Sequence, residues 1–215
     1  MRYNLSLVTA PVVEPITLEE VKGALRIDES SDDDLIAVMI TAARTAAEDY
    51  TRRAFITQTY KMYLDNLPRG NKEAWWDGVR QLPVTEISGQ TSLELPKPPL
   101  ISVTHLKSYS DTDVATTFST GSYYVSTYAG DFAANGAITL RVGAAWPAFV
   151  RLKDGIEIQF VCGYGANRFD VPQQIRMALI QEACFLYENR GSCDMGSIQS
   201  PVAKRLLDSF RIRKL

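Results

Sequence analysis

Histidine is almost missing from this chain: His105 is the only one in 215 residues. Any Ser-His-Asp or Cys-His relay would have to run through it, and no GxSxG is present. His105 sits in the strand-like run SVTHLKSY, where a half-exposed structural histidine is the plain reading. Cysteine is scarce as well. Cys162, Cys184 and Cys193 are odd in number and form no CxxC. That excludes a disulfide framework and a recognisable zinc spacing, and it suits a reducing compartment. Basic excess is lacking: 23 Lys+Arg stand against 25 Asp+Glu, a net charge of −2, whereas a general nucleic-acid binder shows a basic excess or a basic face. No apolar run approaches the ~20 residues of a membrane-spanning helix, and the opening MRYNLSLVTAP has no long apolar stretch of the signal-peptide kind. Phosphate loops are missing too, since Gly163-Tyr164-Gly165 is too short for a glycine fingerprint. Asp111-Thr112-Asp113 lacks the EF-hand continuation and reads as a polar turn. The expectation is a protein made and kept in cytoplasm, without cofactor, metal or membrane contact.

What is present is enough for a real core, with 46% hydrophobic and 22% charged residues. In PITLEEVKGALRI, Thr17 and Glu20 have capping-box spacing, and Leu18, Val21 and Leu25 follow a helical period. A short helix is expected there. SDDDLIAVMITAARTAAEDYTRR reads as the strongest helix, with Ser31 and Asp34 as a second cap signature and aspartates at the positive end of its dipole. It carries two adjoining apolar stripes, Leu35-Met39-Ala42-Ala46-Tyr50 and Ile36-Ile40-Ala43-Ala47. Its alanines would let another helix, or another subunit, approach closely. From Phe55 the texture turns β-branched and alternating. Strands are expected over 55–64, 92–95, 100–109, 122–128, 137–142 and 155–162, broken by proline and glycine. Helix returns in QQIRMALIQEACFLYENRG, and Ser200-Pro201 open a last short helix followed by RIRKL.

The expected fold is α+β: a helical domain, its N-terminal and C-terminal helices packed together, with an inserted antiparallel β module. The boundaries are 1–54 for the N-terminal helical part, 55–165 for the β module, 166–199 for the completing helical part, and 200–215 for a C-terminal helix and basic tail. Charge is unevenly spread. Residues 14–34 are strongly acidic, while Lys204, Arg205, Arg211, Arg213 and Lys214 make the end basic. Two solvated surfaces would explain this, and so would a head-to-tail match between neighbouring copies.

Paired carboxylates are too numerous to sort by sequence, so a carbohydrate-active enzyme stays open, with Trp75 and Trp76 as a sugar platform. The plain reading of the same tryptophans is a hydrophobic anchor on a long loop, for core or partner. A β-rich binding module with helical flanks is a further alternative.

Several segments nonetheless share an order. PITLEEVKGALRID, DDDLIAVMITAARTAAEDYTRRAFITQTY, LPKPPLISVTHL, VCGYG and VPQQIRMALIQEACFLYENR together resemble the head-tail connector (adaptor) family of tailed bacteriophages, in its long form with an inserted β module. The resemblance implies a structural, non-enzymatic virion protein of the neck. It implies a self-assembled ring, twelve-fold, docked under the portal protein, with a stopper or tail-completion protein beyond it. Genomic DNA would pass through the channel during packaging and ejection without sequence-specific binding. A different neck protein, such as a stopper, is the neighbouring alternative. The family sends a C-terminal segment toward the portal, which makes Leu206, Leu207, Phe210, Arg211, Ile212, Arg213 and Leu215 the candidate portal contacts. Deleting 200–215 should then leave a folded subunit that no longer docks. Asp32, Asp33, Asp34, Met39, Ala43 and Ala47 are the candidate inter-subunit contacts.

Overall fold

The computed structural model describes residues 3–65, 92–146, 151–190, 198 and 200–212. The elements run β1 (Tyr3–Thr9), α1 (Leu18–Leu25), α2 (Asp33–Thr51), β2 (Gln58–Leu64), β3 (Ser92–Leu95), β4 (Leu100–Tyr109), β5 (Ala115–Thr117), β6 (Tyr123–Ser126), β7 (Gly136–Leu140), β8 (Ile156–Cys162), α3 (Gln173–Glu188) and α4 (Pro201–Leu207). Trp75, Trp76, Cys193, Arg213 and Leu215 lie outside the described residues.

α1 starts as its sequence predicts. The Thr17 hydroxyl accepts from the Glu20 N–H at 3.2 Å, and the Glu20 carboxylate accepts from the Thr17 N–H at 2.8 Å, a complete capping box. α2 departs from expectation at its start. Asp32, not Ser31, is the cap residue, and its side chain makes no capping bond. That carboxylate is engaged elsewhere, by Tyr187 in the last turn of α3 and Arg190 just beyond it. α2 and α4 both pack chiefly on α3, with α1 against α2 and α3. The helical core holds Ile36, Ile40, Ala43 and Ala47 of α2, Ile175, Ala178, Leu179 and Ala183 of α3, and Ala203, Leu207 and Phe210 of the chain end.

The strands form two antiparallel sheets, one ordered β1-β2-β8-β4-β5 and the other β3-β7-β6. β2 shows why: Gln58, Tyr60, Met62 and Leu64 are buried while Thr59, Lys61 and Tyr63 are only partly covered, the two-residue period of a pleated strand. Tyr60, Met62 and Leu64 pack with Leu93, Leu106, Ile138, Ile156, Ile158 and Phe160 in a second core. Fully burying each such side chain contributes about 1.5–3 kcal/mol. Two strands escaped the sequence pattern. β5 is short and wholly exposed, and β1 belongs to the five-stranded sheet although it precedes the first helix.

The two cores meet where RRAFITQTY, LPKPPL and VCGYG converge. Ala54 N–H donates to the Pro98 carbonyl at 3.1 Å, Gly163 N–H to Pro99 at 2.9 Å, Tyr164 N–H to Phe55 at 3.0 Å and Thr57 N–H to Gly165 at 3.0 Å. Gly163 has φ +133, and a Cβ there would come within 2.6 Å of the Ile56 carbonyl, so only glycine fits both the conformation and the space.

Candidate functional site

No group of His, Cys, Asp and Glu among the described residues could hold a metal ion. His105 faces a carboxylate, but in a structural setting. Its Nε2 lies 2.8 Å from Glu157 Oε1, which Lys61 Nζ also approaches at 3.2 Å, while the Tyr109 hydroxyl donates to Oε2 at 3.0 Å. Burial alone would raise the Glu157 pKa, but hydrogen bonds from His105, Tyr109 and Lys61 outweigh it and hold the carboxyl below its ordinary range. Asp113 ends the turn closed by its N–H donating to the Ser110 carbonyl at 3.1 Å, and its carboxylate pairs with Arg151 of a distant segment at 2.9 Å.

A denser polar cluster lies between the two cores, and the sequence pattern did not single it out. Glu48, near the end of α2, is 5% exposed. Its carboxylate accepts from Phe55 N–H at 2.8 Å, Gln58 Nε2 at 2.5 Å and Arg44 at 2.9 Å. Arg44 also reaches Glu14 at 2.7 Å, and the Gln58 carbonyl accepts from Tyr60 at 2.9 Å. Burial pushes the Glu48 carboxyl up, despite the bonds from Phe55 N–H and Arg44 that oppose it. Arg53 donates to the Phe210 carbonyl at 2.6 Å and the Ala133 carbonyl at 2.7 Å. Glu48 and Arg53 bind backbone groups of segments far apart in the chain, Phe55, Phe210 and Ala133, so the cluster ties those segments together.

The surfaces are more informative. Of the two α2 stripes, Ile36-Ile40-Ala43-Ala47 is turned into the subunit's own core. Ala43 and Ala47 are both 0% exposed, so they cannot touch a neighbouring subunit: a correction to their sequence-based assignment. Met39 is half-buried. The outward face carries Leu35, Val38 and Ala42, with Val38 66% exposed. Among the aspartates, Asp33 is paired with Lys22 at 2.7 Å. Asp32 accepts from the Tyr187 hydroxyl at 2.5 Å, which holds its carboxyl below the usual range. Asp34 is exposed.

The chain end also differs from expectation. Leu207 and Phe210, proposed as portal contacts, are 0% and 1% exposed inside the helical core. Leu206 is partly buried against it. Ser200 N–H donates to the buried Glu182 carboxylate at 2.9 Å and its hydroxyl caps α4. Asp208 is bound by Tyr50, Arg211 stacks over the Tyr50 ring at 4.9 Å, and Ile212 N–H donates to the Thr51 carbonyl at 3.1 Å. Residues 200–212 are therefore a folded part of the domain, and deleting them would remove core rather than a loose arm. Val202, Lys204, Arg205 and Arg211 remain exposed. Beside Ile212 opens a cavity of about 510 Å³ lined by Arg53, Glu94, Tyr128 and Phe132, a feature with no sequence signal.

Among the described residues, His105 is held by Glu157 in the sheet and the outer face of α2 exposes aliphatic side chains. In the family comparison, residues 15–77 match the model described as phage gp6-like head-tail connector protein. The fold extends the likeness to the whole chain. A chain in the neck of an empty gene transfer agent (GTA) particle, computed with C6 symmetry, is similar over 99% of this chain and 97% of its own at a TM-score of 0.74 and 22% identity. A chain of the native GTA virion is similar over 98% and 97%, with a TM-score of 0.72 and 23% identity. A chain in the neck of the native particle, computed with C12 symmetry, covers 99% and 97% at 0.68 and 22% identity. No curated protein matches the chain. The resemblance to the phage head-tail connector family is thereby borne out, and with it the α+β fold.

Proposed function

We propose that this chain is a structural head-tail connector subunit of a phage-like particle, resident in the virion neck and assembled in host cytoplasm. It forms a ring between the portal protein and the tail, with the genome passing through the central channel. The observation that carries this is the whole-length likeness to neck chains, joined to the connector match at 15–77. Neck structures of C6 and C12 symmetry support a ring whose order divides by six, and twelve is the number we adopt. The charge balance is consistent with a conduit: a channel wall rich in Lys and Arg would hold phosphates and slow transit, and this chain has a net charge of −2. A stopper or tail-completion protein is the expected neighbour on the far side.

With Leu207 and Phe210 committed to the core, the portal contact narrows to Arg211, Ile212 and the residues after them, including Arg213 and Leu215. Electron microscopy of the purified chain, alone and mixed with its portal, tests the reading. Rings with a central hole that cap the portal are expected. A chain that stays monomeric under both conditions, or rings that seat only on the tail side of another neck protein, would overturn the adaptor assignment.

A further inference from the structure

A closed ring needs two unlike patches on each subunit, because its contacts are heterologous. The structure offers two that differ in charge and share an apolar centre. One is the outer face of α2, where Leu35 and Val38 are 40% and 66% exposed beside Ala42 and Asp34, with Asp28 and Glu29 exposed just before the helix. The other is the outer face of α4, where Val202 is 54% exposed and the exposed Arg205 lies beside it, with Lys204 at the far edge of the exposed side. Val202 and Arg205 are three apart and so share a side of the helix.

Their placement rules out pairing within one subunit. α2 and α4 both pack chiefly on α3 by their buried sides, through Ile36 and Ile40 for α2 and Ala203 and Leu207 for α4, leaving the opposite sides outward. The acidic end of α2 lies by the C-terminal end of α3, where Tyr187 holds Asp32. The end of α4 lies by the opposite end of α2, where Tyr50 holds Asp208. From Asp34 to Tyr50 the helix alone spans roughly 24 Å, far beyond ion-pair contact.

Resting on the ring reading, we propose that the outer face of α2 in one subunit seats the outer face of α4 in the next, Val38 and Leu35 against Val202, with Asp34 facing Arg205. The occupant is a second copy of this chain because the two faces are complementary in sign and both centred on aliphatic side chains. All the residues named are exposed, so substituting them leaves the subunit core intact.

The test is a charge swap on the full-length chain, with ring formation read by electron microscopy and mass photometry and folding by melting. Asp34→Arg and Arg205→Asp should each shift the population from rings toward monomers severalfold, and the combined swap should recover rings. Val38→Asp should abolish them while the melting transition stays in place. If wild-type rings form and all four variants form them equally well, this interface is wrong and the ring reading stands. If the variants assemble normally but fail to cap the portal, the α2 face belongs to the portal and the proposal falls. If wild type never forms rings, both readings fail together.

Discussion

The seam between the helical and sheet cores and the outer face of the sheet treat charge in opposite ways. Between the cores, Glu48 is buried and protonates more readily than an ordinary glutamate because burial dominates. On the outer sheet face, Glu157 also has a buried side chain but protonates less readily, because His105, Tyr109 and Lys61 all donate to it. The same residue type thus fixes two different things. Glu157 fastens neighbouring strands β2, β4 and β8, whose pairing the backbone ladder already dictates. Glu48 fastens α2 to the start of β2, and there no ladder would do the job. Buried ion pairs often add little net stability and serve instead to select one arrangement; we take the Glu48 cluster to select the angle between the two cores.

The comparison can be broken most severely at the chain end. Deleting 200–215 should abolish the cooperative unfolding transition, and Phe210→Ala alone should cost about 3–5 kcal/mol, measured by denaturant titration. Next comes Glu48→Ala, which leaves the buried Phe55 N–H and Gln58 amide without their acceptor and Arg44 with Glu14 alone, and should cost about 3–5 kcal/mol. The corresponding change at Glu157, equally buried but set among strands that the backbone ladder already pairs, should cost clearly less. If the two losses were equal, the contrast between the sites would be false. Ala47→Leu should cost about 1–3 kcal/mol by overpacking the helical core. A neutral or stabilising result would return Ala47 to the surface.

The smallest effect is the most diagnostic, and it lies in the pH dependence. Glu48 has a raised pKa in the folded state, so its contribution is fully present below the ordinary glutamate value of about 4.3 and is lost as pH rises through the raised value. Glu157 has a depressed pKa, so its contribution is present above about 4.3 and is lost as pH falls through the depressed value. Stability curves of Glu48→Gln and Glu157→Gln should therefore diverge from wild type with opposite slopes in acid. Parallel curves would show that the two carboxylates share one environment.

Most elements could be read from sequence because their signals are local. The Thr17 capping box, the alternation in QTYKMYL and the Ser200-Pro201 helix start each depend on residues a few positions apart. The failures depend on partners far along the chain. Both stripes of α2 are apolar, and which one is buried is decided by where α3 docks, so Ala43 and Ala47 could not be told from interface residues. A short run such as LLDSFRI looks the same whether its Leu and Phe enter their own core or a partner's. Here Arg53, some 157 positions away, holds the Phe210 carbonyl and settles the matter. β1 pairs on one side only and leaves most of its side chains exposed, so YNLSLVT carries too little alternation to stand out.

The clasp between Arg53 and Phe210 bears on how the protein is made. The helical core includes residues 16 and 210 alike, so it cannot close until the ribosome has delivered residue 210. A chain cut short by a premature stop or by proteolysis before that point has no finished core to present to a neighbour. In the ring proposed above, where one defective member would leave a gap, that dependence would act as a proofreading step: only subunits translated past residue 210 would be fit to be built in.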